Sequence, residues 1–456
     1  MLRATLLSLL FSTFSVAWAQ EAPLGGARDA QDAPTGQVEV LTLERAIALA
    51  EQNNRQIKIA SQEVDKANAA VLASRTARLP QFHLNFLGGG LLTPLRFTYD
   101  QGVLGNVNGS PVPSTNTDIT TSRQPFAFVT GEAIQPISQI YRINLGIQEQ
   151  EIAAKLAAEA LRAQRQQTIQ AVRSDYYKVL QTESSIEAAE ATTKMYRELD
   201  RTTDQYVLAR TALKYQSLNV KTQLAKAELD LVTLQDTLAS QKEQLSALVG
   251  RDVLTDFSIG GVPEETGEEI DIVAARQRAL ANRSEVRQAS LKIAMATNEE
   301  RAQKSRYIPD VSFAFNYFSF FNSQVIPRNV VTAGVLVNWD IFDWGYKRHL
   351  LEERKHDTAE SRLNLTEAET QVVVDASAHF RSLKEARARL KVAQLAQEAE
   401  KEKLRVVLEQ YQQKSALLTD AFEEQKAWTQ ANTSYQQALA VFWTARAEFE
   451  KSIGED

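Results

Sequence analysis

The sequence predicts an α+β membrane protein built from two copies of one unit, and three observations carry that reading. Residues 147–249 and 346–453 each run for over a hundred positions without glycine or proline, far beyond the roughly 11–12 residues of a mean helix. Short segments such as VSFAFNYFSFF (311–321) alternate apolar and polar residues, the period of a strand with one apolar face. A shift of 229 residues lays Leu43, Ala46, Ala60, Ser61, Ala67 and Pro80 on Ile272, Ala275, Ala289, Ser290, Ala296 and Pro309, so the unit occurs twice. Farther along the shift falls to about 204, with LSALVG (245–250) meeting FEKSIG (449–454).

Residues 1–19 read as a secretion signal: Arg3 is the basic start, ATLLSLLFSTFSV the apolar stretch, and Ala17-Trp18-Ala19 the cleavage site before Gln20. A flexible segment rich in Gly, Pro, Asp and Ala follows at 20–40. Repeat 1 spans 41–250. It opens with a helix over 42–78, where Thr42 is the N-cap and Pro80 the stop. Strands are expected at about 81–91 and 125–135, separated by a solvent-exposed loop (92–124) containing GNVNGSPVPSTNTDITTS. A long helical hairpin then fills 140–250. A linker over 251–269, with the acidic PEETGEE, leads to repeat 2 at 270–454. There a helix over about 270–306 precedes strands at about 311–321 and 331–341 and a second hairpin over 345–454.

The returning arms carry the same seam. Val220, Leu224, Ala227, Leu231, Leu234 and Leu238 in one arm and Trp428, Ala431, Tyr435, Ala438, Phe442, Ala445 and Phe449 in the other share the 4,3 spacing, with Leu224 matching Trp428 in register. That heptad pattern predicts shallow coiled-coil packing, with an ordinary amphipathic bundle as the blander alternative. Arms of about 60 residues each would reach roughly 90 Å.

Val311, Phe313, Phe315 and Tyr317 face one way in their strand, opposed by Ser312, Ala314 and Asn316. Val331, Ala333, Val335, Val337, Trp339 and Ile341 repeat the theme, and Phe82, Leu84 and Phe86 oppose His83 and Asn85. Such two-faced segments of about 10 residues suit a membrane barrel, apolar side to lipid. Val311, Phe313, Phe315, Tyr317, Val335, Val337 and Trp339 are therefore the expected lipid-facing residues. Phe318, Phe320, Phe321 and Trp344 are expected in an interfacial aromatic girdle. A small soluble sheet packed on the helices is the competing reading. No run reaches the roughly 18 apolar residues of a spanning helix, so membrane entry requires strands. Four strands cannot close a barrel, the smallest needing about eight. Two or three chains must combine.

Other classes find little support. The formal net charge of −6 disfavours a nucleic-acid partner. There is no cysteine, hence no disulfide and no lipid attachment through cysteine at a processed N-terminus. No HExxH, phosphate loop, GxSxG or dinucleotide fingerprint occurs. His349 and His356 share a helix face but lie roughly 10 Å apart along the axis, too far to share an ion. No catalytic residue, metal site or cofactor is expected. The chain is read as not an enzyme.

LTLERAIALAEQNNRQIKIA (41–60), RLPQF (78–82), YIPDV (307–311), WDIFDWGYKR (339–348) and the duplicated hairpin, in this order, resemble the TolC-like outer membrane efflux proteins. The resemblance implies a homotrimer: a twelve-stranded outer-membrane β-barrel continued by a twelve-helix periplasmic α-barrel. It implies an exit duct for a tripartite efflux or type I secretion system. A periplasmic adaptor and an inner-membrane transporter are its partners, and conduction is passive. Within the resemblance, YQQKSALLTDAFEEQ (411–425) is the inner tip, with Asp420 and Glu423 as acidic rings at a lumen constriction. The expected tip and adaptor contacts are Tyr206, Leu208, Ala209, Arg210, Tyr411, Lys414, Ala416 and Leu417. Ala209 and Lys414 stand where the family usually carries tip glycines. Ala416 and Tyr215 stand where it carries an ionic latch. A soluble periplasmic coiled-coil scaffold or adaptor is the alternative function.

Overall fold

The computed structural model describes residues 39–90, 92–94, 96–120, 125–210, 213–260, 271–321, 327–413 and 415–455. The expected signal segment and nearly all of segments 20–40 and 261–269 lie outside the described residues. Apart from Glu39, everything that follows lies in the unit Val40–Asp456. Its first half comprises β1 (Glu39–Leu41), α1 (Leu43–Asn53), α2 (Arg55–Arg75), β2 (Gln81–Gly90), β3 (Arg96–Tyr99), β4 (Asn106–Val107), β5 (Ser110–Pro111), β6 (Thr117–Thr120), β7 (Pro125–Pro136), α3 (Ile140–Leu208) and α4 (Lys214–Val249). The second half comprises β8 (Phe257–Ile259), α5 (Ile272–Asn282), α6 (Ser284–Ser305), β9 (Asp310–Phe321), β10 (Asn329–Asn338), α7 (Tyr346–Gln412) and α8 (Leu418–Ser452).

Each expected opening helix is in fact two helices, broken at Asn54 and at Arg283. Both residues take an extended ψ, 129° and 130° respectively. The break is filled by the end of a distant helix. Asn54 Oδ1 accepts from the free N–H groups of Gln56 and Ile57, while its Nδ2 donates to Leu248 O in the last turn of α4 at 2.7 Å. One side chain thus caps α2 and satisfies α4, so the two helices run on as a single column beside α3. Arg283 treats α8 alike, its Nη1 donating to Ser452 O. The glycine ending each column has no alternative. Gly250 sits at φ +74°, and a Cβ there would lie 2.6 Å from Asn53 O. Gly454, also at φ +74°, meets Asn282 in the same way.

This splice explains why the hairpin arms are unequal rather than about 60 residues each. α3 has 69 residues and α4 has 36; α7 has 67 and α8 has 35. The longer arm packs first on α2 or α6 and then on its own returning helix.

The main core lies where the columns join. Leu41, Val172, Tyr176, Leu245, Val249, Phe257 and Phe442 are all essentially inaccessible. Tyr177 stacks on Trp443 with centroids 4.9 Å apart. The Tyr176 hydroxyl lies 2.9 Å from Gly260 O and 3.2 Å from Leu41 O, pinning the small β1–β8 sheet to α3. Burial pushes this phenol up to about 12.

Four strands form one antiparallel sheet in the order β10-β9-β7-β2. β10 stops at Asn338, so the expected continuation through Trp339 and Ile341 is corrected. Beyond it Asp343 starts α7, accepting from the N–H groups of Gly345 and Lys347. The segment 92–124 is not simply loop, since β3 pairs with β6 and β4 with β5. At the other end the sheet is locked to α3. Arg142 Nη2 reaches both carboxylate oxygens of Asp310 at 3.0 and 2.8 Å. Ser138 Oγ donates to Pro309 O and accepts from Val311 N–H.

Candidate functional site

Strand register assigns every sheet residue to a face. Phe82, Ala133, Phe315 and Ala333 align across the four strands, as do Leu84, Gly131, Tyr317 and Val331. Val335 pairs with Phe313, and Val337 with Val311. Six of the seven expected lipid-facing residues therefore share one face. The seventh, Trp339, lies past the strand end. The face is bare: Phe82 is 79% exposed, Val335 64% and Phe315 43%. The opposite face carries His83, Glu132, Asn316 and Thr332 in one row. The sheet is apolar on its uncovered side and polar on the other, and both edge strands lack a neighbour among the described residues.

Parity corrects the expected girdle. Phe318 and Phe320 lie an even number of residues from Asn316, so they share its polar face and not that of Phe315. Phe321 is on the apolar face, under the Arg328 guanidinium at 5.4 Å. Trp344 is 88% exposed at the helical end, edge-on to Phe342 at 4.8 Å.

The second locus is the pair of hairpin tips. No glycine or proline turns the first one. α3 ends at Leu208, Ala209 is its C-cap, and Arg210 takes φ +60°. Leu208, Ala209, Arg210 and Leu417 are exposed. Lys414 lies outside the described residues. Tyr411 is buried, and Tyr206 and Ala416 are half-buried. They pack with Leu199 and Val220 between the two hairpins, Tyr411 only 9% exposed and set edge-on to Tyr206 at 6.4 Å. Burial raises the Tyr411 phenol above its ordinary range.

Asp420 and Glu423 are exposed and one turn apart on α8. Asp420 already has a local task, since its Oδ2 accepts from Leu417 N–H at 2.9 Å and caps the helix. Gln216 does the same for Leu213 at the start of α4. Sequence reasoning missed this role, although an acidic residue in a first turn is a recognised cap signal. It also missed Asp204, which accepts from Ser217 Oγ at 2.6 Å and Lys221 Nζ at 3.0 Å and ties α3 to α4. Those donors hold the Asp204 carboxyl below its usual range. Gln425, 2% exposed, donates to Thr192 Oγ1 and ties α8 to α3. Above it a groove of about 740 Å³ runs between α3, α4 and α8, lined by Tyr196, Lys226, Glu423, Lys426 and Trp428. Among the described residues no group of three or more His, Asp or Glu is placed to hold a metal ion, and no helix is long and apolar enough to cross a membrane.

Residues 46–251 match the family model described as outer membrane efflux protein. No curated protein matches the sequence. Among solved structures, the CmeC outer membrane channel of Campylobacter jejuni is similar at TM-score 0.75 and 14% identity, covering 95% of this chain and 93% of that one. The outer membrane protein VceC of Vibrio cholerae is similar at TM-score 0.71 and 14% identity, over 91% of this chain and 96% of that one. The MtrE outer membrane channel of Neisseria gonorrhoeae, in its open state, gives TM-score 0.69 and 15% identity, over 91% and 89%. Likeness at such identities establishes the fold.

Proposed function

We propose, from the match of residues 46–251 to the outer membrane efflux protein model and the shared fold of outer-membrane channels, that three copies form a passive outer-membrane exit duct. A twelve-stranded barrel crosses the membrane, and paired hairpins continue it through the periplasm. The tips meet a periplasmic adaptor and an inner-membrane transporter that supplies the energy. An internal duplication accounts for the two spliced columns, and a cleaved signal delivers the chain.

One observation carries the reading: a four-stranded sheet with two open edges and an uncovered apolar face. In lipid every backbone N–H and C=O must be paired, each orphan costing several kcal/mol. β10 of one copy and β2 of the next supply each other's missing partners, and the polar His83–Glu132–Asn316 row then lines the water-filled side. Light scattering on protein extracted from purified outer membranes, with detergent mass subtracted, should give three mature chains. A monomer released by salt alone would remove the duct and leave a periplasmic scaffold.

Asp420 and Glu423 are assigned to the lumen constriction, where three copies would stack two acidic rings and favour cations. Leu208, Arg210, Leu417 and Lys414 are assigned to the adaptor. Asp420→Asn with Glu423→Gln keeps an oxygen for the Leu417 cap while removing both charges. Cation over anion selectivity in planar bilayers should fall. Unchanged reversal potentials would reject the rings.

A further inference from the structure

The polar face of the sheet does not stay polar. On β7, Thr130 and Glu132 give way to Phe128 and Phe126; on β9, Ser312 and Asn316 give way to Phe318 and Phe320. These four rings form one continuous chain of contacts. Phe126 stacks on Phe128 at 6.4 Å and 14°, Phe128 meets Phe320 at 6.4 Å, and Phe320 stacks on Phe318 at 6.4 Å and 8°. Leu87 faces Phe128 on β2, and Val330 faces Phe318 on β10, so the band crosses all four strands over three successive rows. It lies at the end remote from the Arg142–Asp310 lock. A Cβ on Gly89 would meet the edge of the Phe126 ring at 3.2 Å, so that ring lies back over the bare backbone of β2. Over the same stretch the outer face carries Ser319 and the Tyr317 hydroxyl, both bonded to Asn329, beside Val129, Phe86 and Phe321. Glu132 is on the inner face, one row below Phe318 and two below Phe128 and Phe320, opposite His83.

Aromatic side chains facing water are not needed to close a sheet and are unfavourable there unless something apolar meets them. Their faces are electron-rich and attract cations, and Glu132 adds a full negative charge close by. We infer that Phe126, Phe128, Phe318 and Phe320, with Glu132 beneath them, form an aromatic collar inside the duct that contacts organic cations carrying aromatic rings as they leave. The collar rests on the duct reading above and specifies its cargo. An acidic constriction alone passes any small cation. The collar favours those that also present a ring.

Two singly charged cations separate these contributions: tetraphenylphosphonium, which has rings, and tetrabutylammonium, which has none. In planar bilayers containing the purified oligomer, tetraphenylphosphonium should block the current at about tenfold lower concentration. Phe128→Leu with Phe320→Leu keeps the strands apolar, and it should erase that difference without changing oligomer mass. Glu132→Gln should weaken block by both cations a fewfold and equally. Equal block of the wild type by both ions would overturn the collar, as would an undiminished preference in the leucine variant that forms intact channels. An oligomer that conducts no current would overturn the duct itself, a distinct outcome.

Discussion

Phe315→Arg is expected to remove the assembled protein from the outer membrane, whereas Asn316→Arg, one residue away, should leave it there. Phe315 is near the middle of β9, flanked across the strands by Ala133 and Ala333, on the uncovered apolar face. An arginine on the lipid face of a barrel costs about 2–4 kcal/mol at the bilayer midplane. Threefold symmetry would impose that cost three times per assembly, comparable to the whole stability of many domains. Asn316 sits in the polar row with Glu132 and Thr332. An arginine there gains a carboxylate neighbour and water, and should shift conductance toward anions. The amount of oligomer in the outer-membrane fraction decides both cases. If both variants assemble equally, the apolar face does not meet lipid, and a small sheet packed on helices becomes the better account.

That test depends on parity, and parity is where the sequence was both most and least legible. The strand segments stood out because aromatic and β-branched residues alternate with Ser, Thr and Asn at a period no helix shares. Yet Phe318 and Phe320 were expected in a girdle from their place near a strand end. Counting two by two from Asn316 puts them on the inner face, and only the ladder with β7 shows the chain of contacts they form. The helix breaks were hidden for a different reason. Nothing between Leu43 and Arg75 is a strong breaker; Asn54 interrupts the helix because the end of α4, nearly two hundred residues on, abuts it. The turn conformation at the first hairpin tip was hidden too, since Arg210 adopts φ +60° where a glycine would have marked the turn. Asp420 shows how one carboxylate admits two readings: its type suits a constriction ring, and its bond to Leu417 N–H suits a helix cap.

Tyr411→Ala is expected to loosen the tips and raise the conductance of the duct. The described contacts between the hairpins near the tip are largely apolar. Tyr411 is wedged among Leu199, Val220, Tyr206 and Ala416, while Tyr196 meets Phe422 at 6.0 Å. Deleting a buried aromatic side chain costs on the order of 3–5 kcal/mol. Here the loss falls on the contact between two hairpins and leaves each hairpin's own packing in place. The Asp204–Ser217–Lys221 tie still joins α3 to α4, and Lys403 still meets Glu424 at 2.9 Å between α7 and α8. The hairpins should part as intact units, seen as larger single-channel conductance and faster proteolysis near residues 209–213 and 413–417. Tyr411→Phe retains the ring and forfeits only the hydroxyl, so it should behave as wild type to within about 1 kcal/mol. Equal effects of alanine and phenylalanine would mean that the hydroxyl, not the packed ring, joins the hairpins. No effect of either would place the closure elsewhere, with the Gln425–Thr192 contact as the next candidate.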